Sequence, residues 1–248
     1  MESVIPVNPV AGYVGGKKQL ARTIISRIGA IEHDLYAEPF VGMGGVFLRR
    51  PSRPKVEAIN DASQDVATFF RVLQRHYQAF LDMLKWQVTS RAEFARLAAQ
   101  DPATLTDLER SARFLYLQRL SFGGKVAGRS FGISTSGPAR FDITRLVPLL
   151  EAVHERLAGV WIDSLGWEAF IQRWDRPKTL FYLDPPYWGT EHYYGRGLFE
   201  RSDFERLSAA LQGLHGRFIL SLNDVPEVRE LFAWASIETV ELSYQAGG

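Results

Sequence analysis

Apolar runs of four or five residues, each closed by a polar or glycine-rich turn, alternate along this chain with stretches whose hydrophobic positions recur every three to four residues. Tyr36 to Pro39 reads as the end of a short strand. It is followed by the turn Gly42-Met43-Gly44-Gly45 and an apolar helix start at Val46-Phe47-Leu48. Val56-Glu57-Ala58-Ile59 reads as a second strand ending at Asn60-Asp61. Helical spacing then begins near Ser63 and runs through Val66, Phe69, Phe70 and Leu73, completing a β-α-β-α opening. From about Gln64 to Leu157 the pattern is helical and poor in strands, broken by a Gly/Ser-rich stretch from Ser121 to Gly137. Strand patterning resumes at Val160-Trp161-Ile162, at Thr179 to Leu183 and at Arg217 to Ser221, with helical spacing between. The order implies an α/β protein with a parallel sheet, formed by residues 1–63 and 158–248, and a mainly helical insertion over 64–157. Glu238 to Tyr244 reads as a last strand without a hairpin partner, as in a chain cut short. There is no internal repeat and no low-complexity segment.

Composition narrows the setting more than the chemistry. The 46% hydrophobic and 23% charged content over 248 residues is that of an ordinary globular protein. Its longest apolar runs are broken well before the ~18 residues a membrane helix requires, and no basic region followed by an apolar stretch opens the chain. No membrane span and no signal peptide are expected, and the expected location is cytoplasmic. With no cysteine, and with His33, His76, His154, His192 and His215 scattered without ligand-like spacing, no metal is expected. The net charge of +1 says little about nucleic acid, because basic residues can still gather on one face.

The most informative residues are Asp184-Pro185-Pro186-Tyr187, directly after the apolar strand Leu180 to Leu183. In open α/β sheets, ligand sites gather at the carboxyl ends of strands. The Asp184 carboxylate and the Pro185 carbonyl, its aim fixed by two consecutive prolines, are two acceptors suited to the protons of an exocyclic amino group such as adenine N6. Tyr187 offers a π face to the base. Such a site works by positioning and electrostatics on an electrophilic methyl that already carries a good leaving group, and needs no strong general base.

Glycines in Glu38 to Gly45 allow close approach of backbone to a nucleoside. Phe47 stands where a dinucleotide fingerprint has its third glycine, which argues against a pyrophosphate ligand. Asp61, at the end of the second strand, is placed for ribose hydroxyls, although its position before a helix equally suits a cap. Tyr13-Val14-Gly15-Gly16-Lys17 precedes helical spacing through Leu20, Ile24, Ile25 and Ile28. It can hold a carboxylate through backbone N–H groups and the ammonium, or be a surface turn.

Together these motifs resemble the DNA adenine-N6 methyltransferases of the DNA adenine methylase family (D12 class, alpha group), over nearly the whole chain. The resemblance implies a Rossmann-like S-adenosylmethionine-dependent methyltransferase sheet with an inserted helical target-recognition domain. It implies S-adenosylmethionine as cofactor, held by Tyr13, Lys17, Phe40, Gly42, Gly44, Asp61 and Asp184. Asp184, Pro185, Pro186 and Tyr187 take the catalytic role on a flipped-out adenine of double-stranded DNA, and Ser221-Leu222-Asn223-Asp224 falls in a later motif near that base. Two positions depart from the pattern. Gly166 stands near a place where relatives often carry an acid for the cofactor's adenine ring, with Asp163 as a candidate substitute. Tyr13 replaces the usual Trp and keeps an aromatic face for a sulfonium.

Within the insertion, Arg110, Arg113, Arg119, Lys125, Arg129 and Arg140 interleave with Phe114, Tyr116, Phe122, Phe131 and Phe141. Clustered cations meet phosphates, and Arg reads guanine. Arg119, Lys125, Arg129 and Arg140 are the candidate DNA contacts, in a stretch suited to a loop that orders on a groove or covers the pocket. The spacing of Phe114, Leu117 and Leu120 is that of a buried helix face. Methylation of cytosine N4 is the nearest rival, with Ser usual in place of Asp184. A silent DNA-binding relative and a nicotinamide oxidoreductase are further alternatives. A monomer suffices for one flipped adenine; the recognised sequence and a partner restriction nuclease are left open.

Overall fold

The strands predicted from apolar runs assemble into one parallel sheet in the computed structural model, which describes residues 1–13, 15, 17, 19–126, 128–132, 137–191 and 197–241. A short strand β1 (Glu2–Ser3) precedes helix α1 (Ala21–Gly29), β2 (Leu35–Glu38), β3 (Ser52–Arg53) and β4 (Val56–Asn60). Five helices follow: α2 (Gln64–Arg75), α3 (Tyr77–Leu84), α4 (Arg91–Ala99), α5 (Asp107–Leu120) and α6 (Ile143–Arg156). The chain then returns through β5 (Trp161–Asp163), α7 (Trp167–Trp174), β6 (Thr179–Leu183), α8 (Arg201–Gln212), β7 (Arg217–Leu220) and α9 (Pro226–Leu231). The five-stranded sheet has the order β5-β4-β2-β6-β7, while β1 and β3 form a separate antiparallel pair.

Strands β2, β4 and β6 are central and buried on both faces, which is why they read as near-continuous apolar runs. The pleat sends alternate residues to two cores. Tyr36, Ile59, Leu180 and Tyr182 face one cluster, with Phe69, Phe80 and Phe114 of the helices between β4 and β5. Ala37, Ala58, Phe181 and Leu183 face the other, under α7, α8 and α9. Phe114, Leu117 and Leu120 are buried, so their helical spacing is core packing. Successive strands run from β2 outward through β4 to β5, whereas β6 and β7 lie on the other side of β2. The order reverses between β2 and β6, and the crevice above such a reversal is where an open α/β sheet takes its ligand.

Two sequence expectations are corrected. The segment Val46-Phe47-Leu48 makes only a 3₁₀ turn, Phe47–Arg49, before β3. Pro51 cannot continue a helix and holds Arg50 extended (φ −70°, ψ 132°). The last strand does not form over residues 238–241, where side chains engage neighbours instead: Glu238 pairs with Arg27, and Thr239 accepts from Arg229. Residues 242–244 of that expectation lie outside the described residues, as do Val14 and Gly16 of the N-terminal motif and 133–136 of the Gly/Ser-rich stretch. Among the described residues, no helix is long and apolar enough to cross a membrane.

Candidate active site

The parallel register brings the ends of β2, β4 and β6 level, with Glu38 opposite Ile59 and Ala37 opposite Phe181. Their following loops therefore rise side by side around a cavity of about 490 Å³. Phe40, Gly42 and Met43 come from the loop after β2, Asp61 from the loop after β4, and Asp184 and Pro186 from the loop after β6. The N-terminal segment crosses above them and contributes Tyr13, Gly15 and Lys17.

The ammonium of Lys17 lies 2.6 Å from Asp184 Oδ1, joining the N-terminal motif to the one after β6. Lys17 is 5% and Asp184 20% exposed, so the pair is largely sheltered from water. Lys17 Nζ also donates to Gly15 O (2.8 Å) and stands 4.7 Å from the centre of the Tyr187 ring. Burial pushes the Asp184 carboxyl above its ordinary pKa, and Lys17 opposes that rise. Burial pulls the Lys17 ammonium down, but Asp184 and Tyr187 outweigh it and leave its pKa raised. The ammonium thus stands as the counter-charge of a buried carboxyl.

Asp61 ties the glycine loop to the neighbouring strand end. Its Oδ2 accepts from Gly42 N and its Oδ1 from Ser63 N, each at 2.9 Å. Burial raises its pKa to about 6 despite these two donors. Each oxygen keeps a lone pair for a hydroxyl in the cavity. Gly42, at φ +50°, lies against the Tyr13 ring, where a Cβ would come within 3.1 Å of two ring carbons. Gly44 points the other way, at Leu48 and Phe70, so it shapes the turn rather than the cavity wall. Asn60 is also structural: its amide bonds Pro39 O and both backbone groups of Leu165. Asp163 turns to Arg173 and Trp174 and gives the cavity nothing.

Two residues of segments already singled out in the sequence take roles that were not assigned to them there. Glu38, 2% exposed, accepts from Tyr36 Oη at 2.5 Å, lines the cavity, and is raised to about pKa 8 by burial, Tyr36 and Arg50 opposing and Asp184 adding to the rise. A glutamate closing an apolar strand was its only signal. Asn223 accepts from Trp188 N (2.9 Å) and donates to Trp188 O (3.1 Å), clamping the residue directly after Tyr187. Tyr182 Oη and Ser221 Oγ share a second hydrogen bond between the same two strand ends, at 3.1 Å.

The cations of the insertion divide. Arg110 pairs with Asp65, and Arg113 donates to Leu97 O, so both brace helices. Arg119 gives Nη1 to Val10 O and both Nε and Nη2 to Arg140 O, so it braces the cavity wall. Arg129 is half-buried, with Nη2 3.5 Å from Gln118 Oε1 and its pKa lowered by burial. Lys125 and Arg140 present exposed side chains.

Residues 13–246 match the D12 class N6 adenine-specific DNA methyltransferase family. The chain is 23% identical over 261 aligned positions to the type II methyltransferase M1.LlaDCHI of Lactococcus lactis subsp. cremoris, covering 98% of this chain and 90% of that one. It is 19% identical to the type II methyltransferase M.CviBI of Paramecium bursaria Chlorella virus NC1A, covering 91% and 86%. A third relative, the DNA N-6-adenine-methyltransferase of Escherichia phage P1, is 27% identical over 79% of this chain and 27% of its own length.

Proposed function

The chain belongs to the D12 class N6 adenine-specific DNA methyltransferase family, and we propose that its cavity takes S-adenosylmethionine with, beside it at Asp184, an adenine turned out of duplex DNA. The carrying observation is the 2.6 Å pair of Lys17 and Asp184 at the wall shared by the N-terminal motif and the Asp184 loop. A volume of about 490 Å³ lies within the range of cofactor pockets, and its groups match the parts of the molecule. Asp61 offers acceptors for ribose hydroxyls, Phe40 an apolar face for a base, and Tyr13 an aromatic face for a cation.

S-adenosylmethionine supplies an electrophilic methyl on a sulfonium, with a neutral thioether as leaving group. The protein's task is then to aim the amino nitrogen. Asp184 and the Pro185 carbonyl accept hydrogen bonds from the two N6–H groups and turn the lone pair toward the methyl, the Tyr187 ring supports the base, and the one proton that the methylated nitrogen sheds passes to the Asp184 carboxylate. Lys17 keeps Asp184 ionised so that both its oxygens remain acceptors. Pro186 stiffens this loop from within, and Asn223 fixes its far end through Trp188. In this reading residues 64–157 form the target-recognition unit, with Lys125, Arg129 and Arg140 nearest the DNA, and a single chain completes the reaction.

Calorimetric titration with S-adenosylhomocysteine tests the cofactor assignment. One site per chain is expected. Removing the charge-assisted hydrogen bonds of Asp61 (Asp61→Ala) costs about 1.5–3 kcal/mol, roughly 10–100-fold in affinity. Phe40→Ala is expected to weaken binding without altering the Asp61 bonds. Equal affinity in wild type and both variants would place the cofactor elsewhere.

A further inference from the structure

The N-terminal segment that covers the cavity and the base of the Gly/Ser-rich stretch are built as one wall. Gln118, near the end of α5 and only 1% exposed, donates from Nε2 to Gly12 O (2.8 Å) and to Gly124 O (2.7 Å). Its Oε1 faces Arg129 Nη2 at 3.5 Å. The next residue, Arg119, joins Val10 O to Arg140 O. Gly124, at φ +66°, closes the joint by contact: a Cβ there would lie 3.0 Å from Gly12 C and from Tyr13 N. On one side of the wall, Gly12, Tyr13 and Arg119 line the cavity described above. On the other, Gly12, Gln118, Arg119, Gly124, Arg140 and Arg145 line a second cavity of about 410 Å³, rich in cationic groups. Gly12 and Arg119 belong to both.

A buried amide whose N–H bonds go to carbonyls of two separate segments makes them move together, since displacing one strands a buried donor. We propose that Gln118 is a positioning residue that couples cofactor binding to DNA binding. Contact of DNA with Lys125 and Arg140 fixes Gly124, and through Gln118 fixes Gly12 and the adjoining Tyr13 against the cofactor cavity. By linkage the effect is reciprocal, so an occupied cavity sets the loop for DNA. The inference rests on the reading above, in which the cavity holds S-adenosylmethionine and this stretch meets DNA.

The test measures the dissociation constant of S-adenosylhomocysteine with and without a saturating pool of random-sequence duplex DNA, in wild type, Gln118→Met and Gly124→Ala. Gln118→Met keeps the buried volume and removes both donors; Gly124→Ala opens the same joint from the opposite side. Wild type is expected to bind at least about fivefold tighter with DNA, the lower end of usual coupling. In each variant the ratio falls to near one, and in Gln118→Met the affinity without DNA stays within about threefold. A merely structural loosening would lower the DNA-free affinity and the thermal midpoint and leave the ratio. A ratio near one in wild type that binds both ligands, or a wild-type ratio kept in either folded variant, overturns the coupling. Failure of wild type to bind one ligand at all would instead sink the reading on which it rests.

Discussion

Replacing Lys17 by Met removes the counter-charge of Asp184 while keeping most of the buried stem, and its effect is expected to depend on pH. At 2.6 Å and an effective dielectric of about 20, Coulomb's law gives about 6 kcal/mol for the pair. That figure is a ceiling, because burying the ammonium also costs solvation. An opposite charge at this range commonly lowers a carboxyl by about 1–3 pKa units, about 1.4–4 kcal/mol. Burial already pushes Asp184 upward and Lys17 is the group that opposes it. Without the lysine, nothing opposes the effect of burial and the Asp184 pKa rises further. The protonated acid donates one hydrogen bond in place of accepting, so it holds the target amino group poorly. The assay is the pH profile of methyl transfer at saturating cofactor and DNA. In Lys17→Met the acid limb moves to higher pH than in wild type, and the deficit shrinks as pH rises. A loss of equal size at every pH, with the limb unmoved, would refute the argument that Lys17 sets the charge of Asp184.

Glu38 gives a second pH dependence, in stability. Its folded pKa of about 8 lies above its ordinary 4.5, so between these values the unfolded chain has released a proton that the folded protein still binds. Over that window the group lowers wild-type stability by about 1.4 kcal/mol per pH unit, and below about pH 4.5 its contribution vanishes. Glu38→Gln, which can still accept from Tyr36, removes this slope; urea unfolding of both proteins at pH 5 and pH 7.5 shows the difference, and parallel slopes would contradict it. Asn223→Ala frees Trp188 and with it the end of the Asp184 loop. A misplacement of about 1 Å costs on the order of 100-fold in rate, so single-turnover methyl transfer falls sharply while S-adenosylhomocysteine affinity stays within about threefold; an unchanged rate would show that the loop holds itself.

The site was legible wherever chemistry follows local pattern. Thr179 to Leu183 announces a buried strand, and Asp184 directly after it must sit at the sheet's carboxyl edge. Asp61 after the second strand is similar, and in the structure its carboxylate bonds Ser63 N ahead of α2 and Gly42 N of the glycine loop. What the sequence did not disclose depends on side-chain direction after the fold closes. Lys17 and Asp184 are far apart along the chain and meet only because the N-terminal segment crosses the strand ends. Arg119 shows its charge in the sequence, but not that its guanidinium joins carbonyls of two unrelated segments. Asn223 lies on β7's following loop, and its partner is a backbone pair that no side-chain pattern encodes. The missing helix after Gly45 had a local cause, Pro51, a few residues further on than the glycine pattern reached.

The most direct test of the account combines wild type and Asp184→Ala with S-adenosylmethionine carrying a labelled methyl group and mixed-sequence duplex DNA, followed by digestion to nucleosides. Label is expected in N6-methyladenine from wild type and almost none from the variant, with both proteins binding S-adenosylhomocysteine. Label in another nucleoside, or equal N6-methyladenine from Asp184→Ala, would contradict it.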